Sequence, residues 1–124
     1  MVWIEYELMN GNTYKPIKFD CEIHSYILTL PRNITLRRNE TRQIGLDLKM
    51  RLSLYHHYAL ITTFHKRDQL QIENVIHTAE EGDCEIKLMC KNKSDYSMYL
   101  DKGYKIGLFI IPNPSDILRM YEGK

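Results

Sequence analysis

The most constraining feature of the chain is a period-two alternation in its middle. Ile44, Leu46, Leu48 and Met50 fall on one side, and Gln43, Asp47, Lys49 and Arg51 on the other. Successive side chains of a strand point to opposite faces, so this pattern makes one buried face and one wetted face. An amphipathic helix is the competing reading. The spacing is closer to two than to 3.6, and Gly45 disfavours a helix interior, so a strand is expected. The alternation recurs elsewhere. Val2, Ile4, Tyr6 and Leu8 oppose Trp3, Glu5 and Glu7. Leu70, Ile72 and Asn74 alternate with Gln71 and Glu73, and Val75-Ile76 closes that strand. Cys84, Ile86, Leu88 and Cys90 oppose Glu85, Lys87 and Met89.

Shorter pieces fill the gaps. Tyr14 to Ile23 reads as extended but irregular. Tyr26 to Leu30 is a short strand closed by Pro31-Arg32-Asn33, and Ile34 to Leu36 follows. Tyr55 to Phe64 is aromatic and β-branched, as suits a strand, and His65 to Gln69 is a charged loop. Met98 to Leu100 is short. Ile106 to Ile111 is almost continuously apolar, as expected of a strand buried on both faces. Pro112 and Pro114 end it, and Ser115 is placed to cap a short C-terminal helix over Asp116 to Tyr121. About eight to ten short strands with turns roughly every 8–12 residues predict an all-β sandwich, jelly roll or small barrel. A single domain over 1–124 is expected. So small an all-β domain has many strand edges, which oligomerisation covers naturally.

Composition narrows the function classes. The 124 residues carry a formal net charge of +1, which implies neither a polyanionic nor a polycationic partner. The N-terminus mixes charge with apolar residues too early for a signal peptide, and the longest apolar run, Gly107 to Pro112, cannot span a bilayer, so no membrane partner is expected. The three cysteines, Cys21, Cys84 and Cys90, form no C-x-x-C pair and read as reduced thiols of an intracellular protein. Cys84 and Cys90 are expected on one face, filling core. His56-His57 point to opposite faces of a strand, while His24, His65 and His77 lie far apart, so no metal site is expected. No cysteine has an activating neighbour. Arg37, Arg38 and Arg42 form one basic cluster, and Lys91 and Lys93, with tyrosines nearby, form another. Acidic residues are interspersed, so these read as solvated faces and nucleic acid is not expected as a partner. The three N-x-S/T patterns, starting at Asn33, Asn39 and Asn92, are read as chance.

A set of short motifs in order resembles the trimeric dUTPase family over roughly residues 15–111. Asn74-Val75-Ile76-His77 resembles its G-V-I-D segment, and Gly82 to Leu88 its G-E-I-K-V strand. Asn92-Lys93-Ser94 is similar to its N-h-S turn, and Gly103 to Phe109 to its G-D-R-I-A-Q-L motif. Phe19-Asp20-Cys21 sits where the family has Y-D-L. The resemblance implies a jelly-roll-like β-sandwich that assembles as a homotrimer. It also implies a site between subunits that binds dUTP with magnesium and releases pyrophosphate by an aspartate-activated water. Such chemistry needs a carboxylate base, cationic and backbone donors at the phosphates, and a divalent ion.

The departures fall on the chemical positions. His77 stands at the aspartate of V-I-D, Asn74 at its glycine, and Tyr104 and Leu108 at the aspartate and glutamine of G-D-R-I-A-Q. These four are read as degenerate nucleotide-pocket positions. P-R-S-G has no clear counterpart in Thr62 to Arg67, and the glycine-rich tail is missing. The expectation is therefore a non-enzymatic dUTPase-like protein with no cofactor, comparable to the dUTPase-related non-enzymes of DNA viruses. It would act as a protein–protein interaction or regulatory module, with Trp3, Tyr55 and Tyr58 as candidate contact residues. The alternatives are a virion-associated trimeric structural protein and a divergent nucleotide pyrophosphatase with His77 as base.

Overall fold

The computed structural model describes residues 4–20, 24–52, 58–65, 69–78 and 84–111. Among them are eleven strands and no helix: β1 (Ile4–Leu8), β2 (Ile17–Asp20), β3 (His24–Thr29), β4 (Ile34–Leu36), β5 (Thr41–Leu52), β6 (Tyr58–Thr63), β7 (Leu70–Ile72), β8 (Val75–Thr78), β9 (Glu85–Asn92), β10 (Met98–Leu100) and β11 (Lys105–Ile111). They form a four-stranded sheet in the order β1-β5-β9-β7, a five-stranded sheet β2-β3-β11-β6-β8, and the pair β10-β4. Every pairing is antiparallel. The all-β sandwich expected from the alternation is the observed architecture. The C-terminal helix, Trp3 and Tyr55 lie outside the described residues.

The alternation builds the core. Ile44, Leu46, Leu48, Met50 and Leu52 of β5 are buried, as are Ile86, Leu88 and Cys90 of β9. They face Leu28, Ile61, Ile106, Phe109 and Ile111 of the other sheet in one cluster. Each such side chain contributes about 1.5–3 kcal/mol on burial. Across the five-stranded sheet the rows alternate. Phe109 stands beside Tyr26 and Ile61 on the inner face, and Leu108 beside Ile27 and Thr62 on the outer. Leu108 and Ile110 are only half-buried, so β11 is covered less on its outer face than its apolar run predicts.

Two further expectations are corrected, and the expected strand β5 carries an irregularity. The stretch from Leu70 to Ile76 is two strands, β7 in one sheet and β8 in the other, with the chain crossing at Glu73-Asn74. The cause is a change of phase. Leu70 and Ile72 are buried at even positions, but Val75 and His77 face the core at odd ones. Cys84 precedes β9 and is exposed, while Cys90 is buried. Finally, β5 is not regular. Gly45 pairs with Lys87 and Lys49 with Glu85, so β5 spends four residues where β9 spends two. Asp47, inside this bulge, has φ +50°. Its carboxylate accepts hydrogen bonds from Arg32 Nη1 (2.6 Å) and Asn10 Nδ2 (3.0 Å). Asn12 Nδ2 donates to the Leu46 and Asp47 carbonyls.

Candidate functional site

One end of the five-stranded sheet gathers residues from three separated segments. β6 runs out through Thr63, which pairs with Gly107 of β11, into Phe64 and His65. The Phe64 ring meets Phe19 of β2 edge-on, centroids 5.3 Å apart, and meets His65 at 4.6 Å. His65 in turn lies 5.8 Å from the Tyr104 ring. Tyr104 is placed by the turn before β11. Its amide donates to the Asp101 carbonyl, its carbonyl accepts from the Leu30 amide, and the Gly103 amide donates to Leu30 O. Gly103 sits at φ +93°, a conformation glycine adopts freely, and a side chain placed there would meet the Tyr14 hydroxyl.

The residues expected from the sequence divide between this end, the core and the far end of β6. Asn74 is exposed at the crossing from β7 to β8, and the Thr62 hydroxyl donates to its Oδ1 at 2.7 Å. Leu108 stands beside Thr62 on the outer face. Tyr104 is half-buried in the aromatic chain. Tyr58 is half-buried at the start of β6, opposite Thr78. His77 goes elsewhere. It is 5% exposed, its Nε2 lies 2.7 Å from Met50 O, and its ring stands edge-on to Phe109. Phe19 and Phe64 were not singled out as site residues. Their signal lay in motif order, since Phe19 starts the Y-D-L-like segment and Phe64 sits where P-R-S-G belongs.

The described side chains here offer aromatic faces, hydroxyls, an amide and an imidazole. The side chain of Asp20 is not among them, and they present no carboxylate to a divalent ion. Nowhere among the described residues do three His, Cys, Asp or Glu side chains come together. Among these described side chains none is a ligand for the magnesium that the resemblance implies, and no step is derived through one. Among the described residues no helix is long and apolar enough to cross a membrane.

No protein-family model matches the sequence, and no curated protein does. Solved structures do. A mutant dUTPase from phage phi11 of S. aureus, described with a structural Mg(II) ion, superposes with a TM-score of 0.78 at 14% identity, over 89% of this chain and 90% of that one. The Staphylococcus bacteriophage 80alpha dUTPase gives 0.76 at 16% identity, over 89% of each chain, and is described as controlling transfer of virulence genes by a proto-oncogenic G protein-like mechanism. A mutant of it with dUpNHpp gives 0.76 at 17%, over 89% and 82%. The chain therefore has the dUTPase-like fold, and the resemblance read from its motifs holds at that level. The expectation that it is not an enzyme is overturned, because the structures it is similar to are dUTPases, which are enzymes.

Proposed function

We propose that the chain is a regulatory module on the dUTPase-like fold, of viral descent, which works inside the cell through protein–protein contact and assembles as a homotrimer. The observation that carries this reading is the aromatic run Phe19–Phe64–His65–Tyr104, at the end of the sheet where the motif order places phosphate chemistry. Large rigid rings near a surface suit packing against a partner. Phage dUTPases described as controlling gene transfer support a regulatory role on this fold. The exposed Cys84 thiol suits a reducing compartment. Exposed apolar side chains on the sheet's two edge strands, Ile17 and Phe19 on β2 and Ile76 on β8, suit assembly.

A second reading, a divergent nucleotide pyrophosphatase, is favoured by the neighbour seen with dUpNHpp. One pair of assays separates the two. The chain is incubated with dUTP and magnesium while pyrophosphate is followed, and is used in parallel to capture proteins from host extract. The regulatory reading expects a protein retained by the wild type and lost with Phe64→Ala/Tyr104→Ala. Pyrophosphate release abolished by His65→Ala, with no partner captured, replaces it with the second reading.

A further inference from the structure

The two basic clusters of the sequence meet in the fold. Asn92, fully buried at the end of β9, joins them. Its Nδ2 lies 3.0 Å from Leu36 O, 3.1 Å from Arg37 O and 2.8 Å from Tyr96 O, and its Oδ1 accepts from the Ser94 amide and hydroxyl. The turn from Arg37 to Glu40 is closed on itself. Glu40 N donates to Arg37 O, and Arg37 N donates to Glu40 Oε1. Arg42 is used up holding Glu40 and the Thr35 carbonyl. β10 then lies beside β4, with Tyr99 opposite Thr35.

The result is a rigid surface with an uneven charge. Arg37, Arg38, Lys91 and Lys93 are exposed around Tyr96 (80% exposed) and Tyr99 (74%). With Arg42, the patch holds five cations against three carboxylates, Glu40, Asp95 and Glu73 (which lines the adjoining hollow with Lys91), whereas the whole chain is only +1, so the rest of it is slightly net acidic. The sole ion pair of Arg38 among the described residues is a 3.8 Å contact with Asp95, both well exposed. Such a pair holds neither group firmly. Beside the patch is a hollow of about 340 Å³ lined by Thr41, Gln71, Glu73, Met89 and Lys91. Folding gains little from two tyrosines left in water, Tyr96 in the braced turn and Tyr99 on β10, whereas Tyr and Arg are the residues that anchor protein interfaces. Bracing also lowers the ordering cost of binding.

We infer that this surface docks an acidic peptide segment of a partner protein. Its carboxylates would pair with Arg37, Arg38, Lys91 and Lys93, and an apolar side chain would pack on Tyr96 and Tyr99. Single-stranded nucleic acid fits less well. Three carboxylates interrupt the cations, and a chain of +1 exerts little long-range pull on a polyanion. The inference is independent of what the aromatic end of the other sheet does.

The test uses the full chain and fluorescence anisotropy with three probes: a labelled Asp/Glu-rich peptide containing leucines, a Lys-rich peptide of equal length, and oligo-dT. The acidic peptide binds in preference to the others, and more weakly as salt rises. Arg37→Glu/Arg38→Glu and Tyr96→Ala/Tyr99→Ala each weaken it by about tenfold or more with the melting temperature unchanged, since all four side chains are exposed. Phe64→Ala leaves it unaltered, which separates this surface from the proposed regulatory end. Equal affinity for acidic and basic peptides, or tighter binding of oligo-dT lost in the same variants, overturns the inference.

Discussion

His77 shows how much one residue's surroundings decide. By motif position it belongs to a nucleotide pocket, yet its neighbours in the sequence already assign its face. Val75 and His77 share a parity, and Ile76 between them is 60% exposed. The inward parity was legible. The Met50 carbonyl that receives the ring was not, because that contact joins residues 27 apart. Replacing His77 by Phe keeps the packing on Phe109 but orphans that carbonyl, so a loss of about 1–3 kcal/mol is expected in urea unfolding. Cys90 gives a second residue-scale outcome. Burial pushes its thiol from 9.0 up to about 11. The folded state thus keeps a proton that the unfolded state loses. The stability this contributes is complete below pH 9 and is lost as pH rises through about 11. The shift corresponds to on the order of 2–3 kcal/mol. Unfolding titrations of wild type and Cys90→Ala across this window isolate it, since the lysine and tyrosine background is common to both. Iodoacetamide at pH 8 should label Cys84 and spare Cys90 in the native protein.

At the scale of elements, period two was informative about faces and silent about register. The bulge in β5 adds two residues relative to β9, and an excess of two leaves the alternation intact. Nothing in the pattern of Ile44, Leu46, Leu48 and Met50 could therefore reveal it. The split between β7 and β8 is the opposite case. There the apolar phase slips by one at Glu73-Asn74, and that slip is the sequence signal for the crossing. The bulge also holds a strained backbone. A left-handed non-glycine residue costs about 1–3 kcal/mol and persists only where its surroundings hold it. For Asp47 the holders are Arg32, Asn10 and Asn12. Asp47→Ala keeps the φ strain and removes the carboxylate, so a loss of about 2 kcal/mol is expected from chemical denaturation. Asp47→Gly removes strain and carboxylate together and should lose less. An Ala variant as stable as wild type would show that Arg32 and Asn10 contribute nothing to the bulge.

For the whole molecule, motif order reached further than any single motif. Residues near 19, 64 and 104 are distant in the chain, yet they lie in segments whose order matched one family, and their rings are linked through His65. What the order could not convey was chemistry, because a fold is shared more widely than an activity. Assembly follows from edges. β2 and β8 close the two sides of the five-stranded sheet, and Ile17, Phe19 and Ile76 on them are among its most exposed apolar side chains. An exposed apolar edge strand invites pairing unless a partner covers it. On the homotrimer proposed above, light scattering at micromolar concentration should give about three times the 14.8 kDa of one chain. Ile76→Lys places a charge on the β8 edge, where the fold itself tolerates it because the side chain already faces water. It should drive the mass toward that of one chain while leaving the melting transition of the monomer intact. Tyr99→Lys, on a different surface, should leave the mass unchanged. If Tyr99→Lys breaks the assembly and Ile76→Lys does not, the subunits meet through the β4–β10 pair. The tyrosines would then be covered in the assembly, and the acidic-peptide surface would have to be abandoned with them.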